Sequence, residues 1–74
     1  MSLYHYAIVE DPDSSWKLDE SYIQDPEIRG LEKYRVVEGF RNEKNARDAL
    51  NGKYSHKKEH MKIVNTEEER EKDI

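Results

Sequence analysis

The chain has 74 residues, a formal net charge of −4 and no cysteine. A chain this short forms one small domain that buries only about 60% of its unfolded surface, which leaves little volume for a substrate pocket. The absence of cysteine excludes disulfides and thiolate metal sites. No apolar run approaches the roughly 20 residues that cross a bilayer, and no signal-peptide pattern is present, so we expect a cytoplasmic protein with no membrane partner.

Charge is arranged in three blocks along the chain. Residues 10–32 carry eight carboxylates and two cations, residues 33–62 carry nine cations and four anions, and residues 63–74 carry five anions and two cations. Charged residues make up 41% of the sequence, a proportion that favours disorder. Five tyrosines and clear strand patterns nevertheless indicate a folded core. We therefore predict one α+β domain over residues 1–65 and a charged, disordered tail over residues 66–74.

The first third of the chain predicts a hairpin. Residues 4–9 carry apolar groups on both faces, which is typical of a central strand. Residues 11–15 form a turn cluster of Asp, Pro and Ser. Apolar and polar residues then alternate over residues 16–22, which favours a second strand, although a short helix capped by Ser15 is the alternative. Residues 25–30 are interpreted as a loop.

The middle of the chain predicts a strand followed by a helix. In an extended segment over residues 33–41, Tyr34, Val36 and Phe40 share one face. Asn42 is a suitable N-cap for a helix over residues 44–51, because its side-chain oxygen can accept from a free backbone N–H.

That helix carries a narrow apolar stripe of Ala46, Ala49 and Leu50. Gly52 is predicted to end it in the left-handed conformation, and residues 61–64 make a last short strand.

The resulting order is β-β-β-α-β, a mainly antiparallel sheet of three or four strands with one helix on one face. One short helix cannot cover such a sheet. The opposite face must then be exposed, covered by the loop over residues 24–31, or buried against another chain. The aromatic residues available to line a partner-binding or homodimer face are Tyr4, Tyr6, Tyr34 and Phe40.

Two local patterns resemble metal sites but are better explained as surface structure. His56, Glu59 and His60 match the His-x-x-Glu-His pattern of zinc peptidases, but they follow a helix stop and lack a third ligand. Asp11, Asp13 and Ser15 match the start of a calcium loop, which then lacks its glycine and its bidentate glutamate. We predict no metal site and no cofactor.

The run from residue 40 to residue 64 resembles the second half of an RNA-recognition-motif domain, in which a strand leads to a helix ending in Leu-Asn-Gly and then to a final strand. The strand of that family that stacks bases is absent, so the resemblance assigns no family. A basic middle segment with nearby aromatics still makes single-stranded nucleic-acid binding an alternative. Its candidate residues are Lys33, Arg35, Arg41, Lys44, Arg47 and Lys53.

No nucleophile with a base and an orienting group is recognisable, and no glycine-rich phosphate loop is present, so we predict that the protein is not an enzyme. The favoured function is a small protein–protein interaction module, self-associating through the sheet face or binding another protein. A third alternative is that the acidic residues 10–32 imitate the nucleic-acid backbone and inhibit a DNA-handling protein.

Overall fold

The computed structural model describes residues 4–72 and contains a three-stranded antiparallel sheet. Its strands are β1 (Tyr6–Glu10), β2 (Val36–Phe40) and β3 (Met61–Asn65), and β1 lies in the centre between the other two. Helix α1 (Glu43–Asn51) lies in the connection between β2 and β3, and helix α2 (Thr66–Lys72) follows β3 directly. The predicted α+β class with a mainly antiparallel sheet is confirmed.

Two short 3₁₀ helices complete the fold, at Glu20–Tyr22 and at Ser55–His60. The predicted strand over residues 16–22 is wrong, because this segment is a loop that ends in the first of these helices. Asp19 begins that helix and its carboxylate accepts from the amide of Ser21. A side chain that bonds to its own backbone in this way favours a turn over a strand.

Both faces of the sheet are covered. On one face, Ala7, Val9, Val36 and Val64 form a cluster with Ile28 and Leu31, which belong to the irregular segment between Tyr22 and β2. On the other face, Ile8 and Val37 pack with Leu18, Tyr54 and Met61, and residues of α1 border that cluster. We call these the first and second clusters. Of the three alternatives for the face opposite α1, the structure shows the second, because the loop over residues 24–31 covers this face with Ile28 and Leu31.

Helix α1 forms where the sequence predicts it. The Asn42 side chain accepts a 2.8 Å hydrogen bond from the amide of Asn45, which is the predicted N-cap. Ala46 is fully buried, and Ala49 and Leu50 are half-buried against the second cluster. Gly52 follows the helix but has φ −109°, so the predicted left-handed stop is wrong.

Residues 66–72 of the predicted disordered tail are helical, and residues 73–74 of that prediction lie outside the described residues. Thr66 is fully buried and donates its hydroxyl to the carbonyl of Tyr4 at 3.0 Å. Glu69 is also buried, and its carboxylate lies within 3.4 Å of Lys33 Nζ and 3.3 Å of Lys72 Nζ. These tertiary contacts hold a segment whose composition alone would leave it unfolded.

A β-bulge in β2 changes which face its aromatic residue occupies. Ile8 pairs with Glu38 and Val9 pairs with Val36, so Val37 is an extra residue with no partner on β1. Beyond the bulge the alternation is reversed, and Phe40 packs against the second cluster while Val36 lies in the first. The prediction that Tyr34, Val36 and Phe40 share a face is therefore wrong.

Candidate interaction surface

Trp16 is the large apolar side chain that stands out on the described surface, with 71% of it exposed. The loop that carries it is nevertheless ordered by local hydrogen bonds. The Asp11 side chain accepts from the amide of Asp13 at 2.9 Å, and Ser14 Oγ bonds to both the amide and the carbonyl of Trp16. A fixed backbone therefore presents an indole ring to solvent.

A cleft of about 190 Å³ lies beside this ring, and we call it the Trp16 cleft. Its base includes Leu18, which is buried, and Tyr22, which is half-buried against the second cluster. The volume is below the roughly 300–1,000 Å³ of pockets that enclose drug-sized ligands. The residues that line it are Trp16, Lys17, Leu18, Asp19, Tyr22, Lys57 and His60.

Two histidines connect the Ser55–His60 helix to the loop that carries Trp16. His60 Nδ1 lies 2.9 Å from Ser14 Oγ, and His56 Nε2 lies 2.7 Å from the hydroxyl of Tyr22. The rings of Tyr22 and His56 are also in contact, with centroids 5.9 Å apart. These pairs hold the two sides of the cleft together.

The same geometry separates the two histidines of the His-x-x-Glu-His pattern. In a 3₁₀ helix with three residues per turn, positions four apart differ by about 120° around the axis, whereas in an α-helix they nearly coincide. His56 and His60 accordingly have different partners, Tyr22 and Ser14. Across residues 4–72, no group of three or more potential ligands is suitably placed to hold a metal ion.

The charge of the Trp16 cleft comes from two unpaired lysines. Lys17 and Lys57 both line it, and neither forms an ion pair with any described residue. Asp19 is the carboxylate in the lining, and it is engaged as the cap of the neighbouring 3₁₀ helix. Lys17 and Lys57 outnumber Asp19, so the cleft combines aromatic surface with a small excess of positive charge.

The basic residues predicted to bind nucleic acid are, by contrast, mostly neutralised. Five of the six are paired with carboxylates, and Arg41 is exposed without an ion pair in the described part of the chain. The pairs are Lys33–Glu69, Arg35 with Glu10 and Glu20, Lys44–Asp48, Arg47–Glu43 and Lys53–Glu38.

The Lys53 pair extends to a buried tyrosine. Tyr54 donates a 2.7 Å hydrogen bond to Glu38, and burial together with this bond raises the pKa of Tyr54 above its usual value. The pKa of Lys53 is raised as well, first by its contact with Tyr54 and then by Glu38. Both groups therefore keep their protons at neutral pH, which suits a structural role.

The four aromatic residues predicted to line a sheet face are not brought together. Tyr4 and Tyr34 pack against the first cluster and Phe40 against the second. Tyr6 borders a separate shallow cleft that also includes Arg47. All four are half-buried, and Lys33 and Lys62 lie 5.5 Å from the centre of the Tyr34 ring, within cation–π distance.

The carboxylates of the acidic stretch also have local roles. Glu10 accepts from the amide of Leu18 and from Arg35, and Asp25 accepts from the amide of Val36. Of the eight carboxylates in residues 10–32, six accept hydrogen bonds within the chain, namely those of Glu10, Asp11, Asp19, Glu20, Asp25 and Glu32. Among these carboxylates, those of Glu10 and Glu20 are paired with a cation, Arg35.

Sequence reasoning did not identify the Trp16 cleft. The predicted strand placed Trp16 on the apolar side of residues 16–22, whereas Ser14 and Asp19 on either side of it are turn and cap residues. The lysines of the cleft, at positions 17 and 57, come from distant parts of the chain. Only the fold brings them together.

Comparison with protein-family models, curated protein sequences and solved structures finds no match to this chain. Within residues 4–72, no helix is long and apolar enough to cross a membrane.

Proposed function

We propose that this protein is a non-enzymatic protein–protein interaction module that binds its partner through the Trp16 cleft. The observation that carries the proposal is a 71% exposed tryptophan on a hydrogen-bonded loop, beside a cleft that is continuous with the core. Tryptophan and tyrosine are enriched among the residues that dominate binding energy at protein interfaces. An ordered loop also loses less conformational entropy on binding than a flexible one.

The chemistry of the cleft supports binding more than catalysis. Ser14 and His60 are in hydrogen-bond contact, but Ser14 Oγ is also engaged by the Trp16 backbone. No carboxylate within residues 4–72 hydrogen-bonds to His60 to orient it as a base. A nucleophile needs both groups to be positioned.

Self-association through a sheet face has less support than binding of a different protein. A second copy would have to displace the segment that buries Ile28 and Leu31, or the side chains over the second cluster. A cytoplasmic setting belongs to the same proposal, since a cysteine-free chain gains nothing from an oxidising compartment.

Site-specific photo-crosslinking tests this proposal. Trp16 is replaced by a photo-reactive phenylalanine analogue, and Lys44, which is exposed on α1, is replaced in a matched control. We expect ultraviolet irradiation in the native lysate to give a defined protein adduct from position 16 and none from position 44. Equal labelling from both positions, or no adduct at position 16, would contradict the proposal.

A further inference from the structure

The Trp16 cleft is lined by more positive than negative side chains, with Lys17 and Lys57 against Asp19. The whole chain has a net charge of −4, yet the cleft is lined by Lys17 and Lys57 without ion-pair partners in the described residues. Most of the basic residues in the middle of the chain are neutralised by nearby carboxylates. A ligand with negative charge is therefore attracted at this cleft and repelled by acidic parts of the surface.

The apolar part of the cleft limits the size of what it can hold. At about 190 Å³, with Trp16 exposed at its margin and Tyr22 half-buried, it offers contact area for a side chain rather than for a folded surface. A short segment that inserts one apolar side chain and continues over the lysines makes use of both features. This is the general form of recognition of linear peptides by grooves.

We propose that the Trp16 cleft binds an acidic linear segment of a partner protein. One apolar side chain of the segment packs against Trp16 and Tyr22, and its carboxylates pair with Lys17 and Lys57. This inference rests on the proposed function and adds the chemistry of the partner to it. The pairing is electrostatic and exposed, so binding weakens as salt is added.

Two other occupants are less well matched to the cleft. A nucleic-acid strand needs a track of cations along its backbone, and only Lys17 and Lys57 line this cleft as unpaired cations. A second copy of the chain does not offer residues 10–32 as a free linear segment, because Glu10, Asp19 and Asp25 hold the backbone there through hydrogen bonds.

The fluorescence of Trp16 tests the proposal directly, because Trp16 is the single tryptophan of the sequence. The probe is a synthetic peptide of about ten residues with Glu and Asp surrounding one central Phe, the length of a typical linear segment. Its control has Gln and Asn in place of the acidic residues, and a uridine oligonucleotide is titrated in parallel. We expect a saturable change of Trp16 emission with the acidic peptide and at least tenfold weaker binding of both other ligands.

Charge-reversal variants assign the contacts. The Lys17→Glu and Lys57→Glu variants are each expected to weaken binding of the acidic peptide at least tenfold, whereas the Lys44→Glu control, on α1, is expected to leave it within twofold. Equal affinity for the acidic and amide peptides, or tighter binding of the oligonucleotide, overturns the inference. If the peptide experiments give that result but position 16 still forms its protein adduct in lysate, the acidic nature of the partner is rejected and the proposed function stands.

Discussion

Gly30 combines a backbone conformation that favours glycine with close neighbours that leave little room for a side chain. It has φ +94°, a conformation that residues with a Cβ rarely adopt. A Cβ at this position would lie 2.5 Å from Arg70 Cγ and 3.1 Å from the Arg70 amide nitrogen. The close approach allows α2 to lie against the segment that covers the first cluster.

We therefore expect Gly30→Ala to lower the free energy of unfolding by roughly 1–3 kcal/mol, the usual cost of a strained backbone position. Urea denaturation followed by circular dichroism measures this change. The control is Gly52→Ala, where φ is −109° and the nearest contact is an Asp48 carbonyl oxygen at 3.1 Å. Equal stability of the two variants would contradict the steric explanation.

Glu69 is a buried carboxylate whose ionised form the fold stabilises. Burial opposes ionisation, but the hydrogen bond from Lys72 and the ion pair with Lys33, with a further contribution from Tyr34, outweigh it and lower the pKa of Glu69 below its ordinary value of 4.5. The folded state thus binds this proton less tightly than the unfolded state does. The resulting stabilisation is fully present above about pH 4.5 and is lost as the pH falls through the lower folded-state pKa.

The Glu69→Gln variant should consequently be less stable than the wild type at pH 7 by about 1 kcal/mol and should lose less stability on acidification. Urea unfolding at pH 7 and at pH 3 measures both effects. Glu71→Gln, at an exposed position of the same helix, is the control and should follow the wild type. An unchanged pH dependence in Glu69→Gln would show that another group is responsible.

At the scale of elements, a carboxylate on β1 positions the loop that carries Trp16. Glu10 Oε2 accepts from the Leu18 amide at 2.7 Å and from Arg35 at 3.0 Å, and Arg35 also contacts Glu20 at 2.6 Å. The Glu10 side chain is only 11% exposed. Its hydrogen bonds are therefore protected from water and stronger than those of a surface pair.

Replacing Glu10 with Ala should lower the free energy of unfolding by about 1–3 kcal/mol, because the Leu18 amide and Arg35 both lose an acceptor. The exchange of the Leu18 amide hydrogen should become faster by at least tenfold, which hydrogen-exchange NMR measures. In the Glu27→Ala control, at an exposed carboxylate, both quantities should stay at wild-type values. Unchanged protection of Leu18 in Glu10→Ala would exclude this role of Glu10.

The elements differ in how well the sequence predicts them, for physical reasons. Helix α1 was predictable because its cap and stripe are local signals, which Asn42 and Ala46 satisfy in the structure. The helical structure of residues 66–72 could not be predicted, because it depends on residues far away in sequence. Thr66 contacts Tyr4, and Glu69 contacts Lys33. The candidate site was missed for the same reason.

At the scale of the whole molecule, a very small sheet is buried on both sides without a second long helix. The radius of gyration of 11.5 Å matches the value of about 11.3 Å expected for a compact chain of this length. Irregular segments therefore provide the cover that one short helix cannot, which is one of the three alternatives that the sequence leaves open.

Because both faces of the sheet are packed, we expect the protein to be monomeric at micromolar concentration. Size-exclusion chromatography with light scattering should give a mass near 8.9 kDa that does not change with concentration. A mass of twice that value would support the earlier expectation of self-association. In that case the Lys17→Glu variant would show whether the Trp16 cleft is the contact.

The extra residue in β2 adds a buried side chain to the core and leaves the register of the strand as it is. Deleting Val37 would keep the pairs Ile8–Glu38 and Val9–Val36, so Phe40 would stay on the face of the second cluster, which would lose a fully buried valine. A chain that lacks this one position would need a larger side chain nearby to fill the space.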